Sequence, residues 1–417
     1  VELAAFALAL TAWKYPSAGG YRVLPELNVA CSGLSVSVAK EEWKQLGLGK
    51  KNLTIALDWM HDTFKDAPVL GSLLNPAKTD AAKLVQWEEL SSALEQALKQ
   101  EQSEEQQEAA VVAQGLAKAA TLLAGRYQWV ITNVPYLARG KQNERLRDFC
   151  EKHYSTAKND LATVFLDRCL ELCVEGGTSS IVLPQNWLFL TSYKKFREKL
   201  LKNDTWHLIA RLGEGGFDSS AAAGAFVAMI SLSRGNSTKE SGGLFGDVND
   251  GNLIRGVDVS DPRTASDKAA QLPTGEIKSV RQDKQLENPD SAIVLEESEA
   301  NVKRLSDYAI SMRGIVSGDT DKWIRKFWEQ PISPSFKFLQ SAPSKTAMGL
   351  GKEHVIDWST KGSGMLRPGT TNQAYGKKGV ALGQMRSLPA SNYDGALYDN
   401  NTATIVPKSD EYLAALW

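Results

Sequence analysis

The ten residues Tyr127-Gln128-Trp129-Val130-Ile131-Thr132-Asn133-Val134-Pro135-Tyr136 join two patterns. The first six form a short apolar and aromatic run that reads as a buried strand. The last four put three chemical tools at the end of that strand. Asn133 offers an amide that accepts and donates hydrogen bonds. Pro135 fixes the local backbone. Tyr136 offers a flat face for stacking.

That combination suits a planar base with an exocyclic amine. The N6 lone pair of adenine is delocalised into the ring, so the amine is a poor nucleophile. With the Asn133 side-chain oxygen accepting one N6 hydrogen and the Val134 carbonyl the other, the nitrogen can pyramidalise toward an activated methyl group. A base stacked in a duplex is out of reach, so Tyr136 would have to stack on one swung out of the helix. The same four residues also read as an ordinary surface turn, because Asn and Pro are turn formers.

The totals set bounds. A chain of 417 residues exceeds the size at which single cores stop growing, so more than one domain is expected. A net charge of −1 gives no global basic field, so any nucleic-acid contact rests on local patches. Cys31, Cys150, Cys169 and Cys173 form no CxxC pair and read as free thiols, and the four histidines share no ligand spacing, so no metal is expected. No apolar run is long enough for a membrane and no signal peptide is present, which places the chain in a reducing cytoplasm. Val1 at the start and the apolar Leu413-Ala414-Ala415-Leu416-Trp417 at the finish suggest an internal piece of a longer protein.

Along the chain, Leu3, Phe6, Leu10 and Trp13 predict a helix over residues 1–15. Leu27–Cys31 reads as a short strand followed by a Ser32-Gly33 turn. Residues 40–125 read as a helical insertion, with Trp59, Phe64, Leu84, Leu90, Leu94, Leu98, Val111 and Leu116 at helical spacing and a polar run over 100–108. Arg139 and Lys141, in a loop at the strand end, are candidates for DNA phosphate contacts. Asn159–Val174 predicts an amphipathic helix ended by Gly176-Gly177. Strands follow at 180–184, 207–212 and 225–230. A helix at 193–201 carries Lys194, Lys195, Arg197 and Lys199, read as a solvated face. Phe217, an aromatic in a Gly-rich loop, is a candidate stacking surface. Residues 235–300 read as a linker or irregular β segment. Beyond them, aromatics interleaved with Gly and basic residues suit either a DNA-gripping surface or a β-rich domain.

Several of these pieces together resemble one family. Asn133-Val134-Pro135-Tyr136 resembles the Asn-Pro-Pro-Tyr motif of amino-methyltransferases acting on DNA adenine, with Val134 in place of the first Pro. Leu24–Leu34 resembles the third-strand region of the large adenine-specific enzymes, which points to Ser32 beside the adenine of S-adenosylmethionine. Asn159–Leu166 resembles the helix whose Phe packs on that donor, here Phe165. Gly213–Phe217 resembles the loop whose aromatic faces the flipped base. The wording around these blocks, including Arg139-Gly140-Lys141-Gln142 and Pro184–Leu190, is most similar to the BREX phage-defence methyltransferases of the PglX family.

The resemblance implies an α/β fold: a partial Rossmann-like class I methyltransferase sheet, a helical insertion and the start of a mixed α/β target-recognition domain. It divides the chain into 1–39 (core, first part), 40–125 (insertion), 126–235 (core, catalytic part) and 236–417 (linker and partial recognition domain). It implies a site-specific DNA adenine N6-methyltransferase. The donor would be S-adenosylmethionine and the partner double-stranded DNA, with other defence-system subunits as possible partners. A glycine-rich donor loop of the FxGxG kind is absent, which predicts little activity for the piece alone. Two further readings stay open: a non-catalytic DNA-binding or scaffold subunit, and the methyltransferase part of a restriction-modification enzyme.

Overall fold

The computed structural model describes residues 1–17, 19–25, 27–33, 51–78, 104–218, 224–235, 252–296, 305–331, 333–384 and 388–417. They belong to two compact units, Val1–Glu297 and Ser298–Trp417. In the first unit the principal helices are α1 (Glu2–Lys14), α2 (Lys51–Phe64), α3 (Glu104–Ala124), α4 (Glu144–His153), α5 (Leu161–Leu172), α6 (Lys194–Asn203) and α7 (Ala265–Gln271). The strands are β1 (Tyr127–Asn133), β2 (Cys173–Pro184), β3 (Thr205–Gly213), β4 (Val227–Ser233), β5 (Leu253–Asp258) and β6 (Lys278–Arg281). They form one mixed sheet in the order β1-β2-β4-β3-β5-β6.

β1 and β2 run parallel, and the crossover between them carries α4 and α5. Each of these helices starts at a side-chain cap. Asn143 accepts the Leu146 N–H at 2.9 Å, and Asp160 accepts the Ala162 N–H at 2.9 Å. α5 lays Leu166, Cys169 and Leu170 against the sheet, where Ile181 and Leu183 of β2 are buried. The opposite face carries the apolar cluster of Ala210, Leu212 and Val227 toward one end and hydroxyl groups toward the other. There Trp129 donates to Ser180, Ser180 meets Ser231, and Thr178 and His207 both meet Ser233, so hydroxyl groups cross the strands in a row.

Sequence and structure part company at several points. β1 is an edge strand rather than a buried one. It pairs with β2 alone among the described strands, and Trp129 and Ile131 are 63% and 71% exposed. α1 forms as expected, yet it buries no residue. Leu27–Cys31 is not a strand, since no described strand runs beside it to supply a ladder. α5 ends at Leu172, and Gly176 and Gly177 lie within β2. Gly176 has φ +75°, and a Cβ on Gly177 would stand 2.8 Å from the Tyr127 carbonyl, where the β1–β2 register shifts. Within 235–300, β5 and β6 join the sheet. Leu84, Leu90, Leu94 and Leu98 lie outside the described residues.

The helical segment before β1 shares the sheet's core. Leu57, Met60 and Phe64 of α2 and Leu116 of α3 pack in one buried cluster with Leu166, Ile181 and Leu183. Arg168 of α5 ties the two together. Fully buried, it donates to the carbonyls of Ser72, Leu74 and Leu123 and sits 3.4 Å from Glu171. Arg197 is a second buried guanidinium, so the basic run on α6 is not all solvated. It donates to the carbonyls of Trp187, Leu190, Asp290 and Ser291 and fixes the turn that follows β2.

The second unit holds two four-stranded sheets. One orders β13 (Leu397–Tyr398), β9 (Phe336–Gln340), β10 (His354–Asp357) and β8 (Ile324–Lys326). The other orders β12 (Ala390–Tyr393), β11 (Gly379–Gly383), β14 (Thr402–Pro407) and β7 (Ala309–Arg313). Trp323, Tyr393 and Tyr398 are core residues, whereas Phe327, Trp328 and Phe338 are exposed.

Two outcomes follow for stability. Arg168→Met removes the donor to two buried carbonyls and the half-buried one of Ser72 and should cost about 3 kcal/mol, read by urea denaturation of the first unit; a loss below about 1 kcal/mol would contradict this role of Arg168. Asp204, which accepts the Gly235 N–H at 3.3 Å, is raised by burial to about 6. A carboxyl with a raised folded-state value holds more protons folded than unfolded, so stability should fall as pH rises through this window and the loss is complete above about 6. Comparing the melting temperature with that of Asp204→Asn from pH 4 to 7 tests this; the variant should lack that component of the pH dependence.

Candidate active site

β1 delivers Asn133 to the carboxyl end of the sheet, where it pairs with Val182 of β2 and remains exposed. The chain then leaves the sheet. Val134 turns its side chain into the core at 6% exposure, so only its backbone is left for chemistry. Pro135 is exposed. Tyr136 is half-buried, and its hydroxyl donates to Asn133 Oδ1 at 3.5 Å. Burial, and then the negative charge of Asp160, push the Tyr136 phenol up to about 12, so it remains a donor at neutral pH.

β3 reaches the same end of the sheet and turns through Gly213 and Gly215, at φ +65° and +77°. A Cβ on Gly213 would stand 2.7 Å from Ser260, and one on Gly215 2.3 Å from the Arg263 carbonyl, so this loop needs glycine twice. Lys268 of α7, itself buried, holds the opposing wall through the carbonyls of Val259 and Ser260, each at 3.0 Å. Phe217 then packs on the apolar cluster of Ala210, Leu212, Val227, Val257 and Val259. Tyr136 packs on that same cluster. The structure therefore brings the two aromatic rings to one apolar patch beside Asn133.

The remaining candidates separate. The Ser32 hydroxyl meets Ser72 Oγ at 3.1 Å, and the Ser72 carbonyl accepts from Arg168, one turn after Phe165 on α5. Phe165 is half-buried against the core. These residues fit the adenosine end of a methyl donor in part: Phe165 offers a ring, while Ser32 already has a hydroxyl partner. Arg139 forms an ion pair with Glu151 at 2.6 Å, a carboxylate it shares with Lys158; Lys141 is exposed. Burial raises the thiols of Cys150 and Cys173 to about 11, which keeps them protonated at neutral pH. Three cavities of about 360, 300 and 370 Å³ lie in the second unit, and none is lined by these residues.

Sequence reasoning gave no role to Asp160, Gln142 or Lys268. Asp160 was legible as a helix cap. Gln142 and Lys268 carried no local signal, because each bonds loop carbonyls that no periodic pattern marks.

The family of Eco57I restriction-modification methylases matches residues 1–217, and the chain belongs to that family. Two curated relatives are similar to it. The adenine-specific methyltransferase BrxX of Escherichia coli O9:H4 (strain HS) is 34% identical over 37% of this chain and 12% of its own length. The adenine-specific methyltransferase PglX of Lacticaseibacillus casei (strain Zhang) is 35% identical over 23% of this chain and 8% of its own length. The chain thus aligns with only a small part of either relative. Among solved structures, the Type IIL restriction-modification enzyme MmeI in complex with DNA superposes with a TM-score of 0.45 at 11% identity, covering 69% of this chain and 42% of that one.

The glycine requirement gives a direct outcome. Gly215→Ala should destabilise the first unit by about 2 kcal/mol or more and raise amide hydrogen exchange across residues 212–218. Wild-type stability and exchange would show that the loop has room the structure does not give it.

Proposed function

We propose that this chain contributes the catalytic strand end of a site-specific DNA adenine N6-methyltransferase of the BREX-like phage-defence kind, acting in the cytoplasm. The observation that carries the reading is the exposed Asn133 beside a half-buried Tyr136 that shares an apolar patch with Phe217. Asn133 Oδ1 accepts one hydrogen of the adenine N6 amine, replacing the long contact from Tyr136, and the Val134 carbonyl accepts the other. Both contacts draw the nitrogen out of conjugation with the ring. Pro135 fixes the turn. Tyr136 and Phe217 sandwich the flipped base between two faces and keep water from it. S-adenosylmethionine supplies an already activated methyl group, so the residues of the chain mainly position. Phe165 and Ser32 contribute to its adenosine end. Lys141, more than the paired Arg139, faces DNA phosphate. Residues 298–417 belong to the part that reads the target sequence.

The test is transfer of a tritiated methyl group to adenine in duplex DNA by the full-length protein that carries this chain. Asn133→Ala should lower transfer at least about 100-fold while DNA affinity stays within about threefold. Collapse of DNA affinity would instead make Asn133 structural, and an inactive wild type that still binds DNA would favour a scaffold role.

A further inference from the structure

The four residues at the end of β1 must be held without a strand to hold them. Their upstream side is fixed by β1–β2 pairing. Their downstream side is Leu137, and both polar groups of that residue are gripped by side chains. The Leu137 N–H donates to Asp160 Oδ1 at 3.3 Å. The Leu137 carbonyl accepts from Gln142 Nε2 at 3.0 Å and from the Leu161 N–H at 3.0 Å. The same Asp160 oxygen caps α5 through the Ala162 N–H, and the Arg139 N–H donates to the Asn159 carbonyl at 2.9 Å. The loop is thereby registered against the first turn of the helix that carries Phe165.

Neither grip is a surface contact. Gln142 is 5% exposed. Burial raises the Asp160 carboxyl, and the two backbone N–H groups oppose that rise. Mobile polar side chains would find water more easily than these backbone partners, so their burial fixes one geometry.

We propose that Asp160 and Gln142 are positioning residues: together they clamp the Leu137 peptide and so set where Asn133 and Tyr136 stand relative to Phe165. The proposal rests on the methyltransferase reading for its chemical consequence, but the clamp itself is measurable without turnover. Asp160→Asn keeps an oxygen acceptor at the same place, whereas Asp160→Ala removes it. Gln142→Met keeps the volume and removes the donor.

The experiment has two readouts. Amide hydrogen exchange of the chain, resolved over 134–139 and compared with β2 and the body of α5, reports the clamp. Asp160→Ala and Gln142→Met should speed exchange in 134–139 selectively, and Asp160→Asn should restore it. Methyl transfer by the full-length protein reports the consequence. The Ala and Met variants should lower kcat by about 100-fold with KM for S-adenosylmethionine unchanged, and the Asn variant should recover most of the rate. Unchanged exchange in 134–139, or acceleration spread evenly through α5 and β2, overturns the clamp. Selective exchange with an unchanged kcat overturns its positioning role. A wild-type protein that transfers no methyl group overturns the functional reading instead, and the exchange result then decides the clamp separately.

Discussion

β1 depends on its parallel pairing with β2. It has that neighbour alone among the described strands, and the register sets Asn133 against Val182. A slip of one residue would exchange the faces of every side chain on the strand. Asn133 would then lose its place, and Trp129 and Ile131 would turn onto the face packed by α5. The register is held by the irregularity at Gly176-Gly177, by the Trp129–Ser180 hydrogen bond and by the crossover through α5. The strand end is therefore only as well placed as the elements around it.

Two buried guanidinium groups bind those surroundings together. Charge in an apolar interior is costly unless every donor is used. Arg168 and Arg197 meet that demand mainly with backbone carbonyls from segments far away in sequence. Each closes a junction that apolar packing alone would leave slack. Arg168 joins the helical segment to α5, and Arg197 joins the turn after β2 to residues 290 and 291. This accounts for the single core beneath the sheet, in which residues of α2 and α3 touch the same cluster as the strands.

The candidate site draws on separate elements in the same manner. Asn133 comes from β1, Phe217 from the loop after β3, and the gripping groups Asp160 and Gln142 from the crossover. Tyr136 and Phe217 pack on one cluster, drawn from β3, β4 and residues 257–259, because β3 and β1 both finish at one end of the sheet. Glycine at 213 and 215 lets the loop lie close against residues 260–263. A larger side chain at either position would move Phe217 before any change in the ring itself.

Much of this was legible in the residues. The strand and its Asn-Val-Pro-Tyr end, the helix at 161–172 and the strands near 180, 208 and 228 were readable because local periodicity and turn chemistry act over a few residues. The fates of charge and exposure were not. Arg197 looked solvated and is buried, and Trp129 and Ile131 looked buried and are exposed. The sequence by itself determined which segments could be helix or strand and which functional groups stood at their ends. Only the tertiary structure decided which of those groups meet, because contacts such as Arg168 to Leu74, or Tyr136 and Phe217 on one cluster, are between residues some eighty or more positions apart, and no local pattern records them.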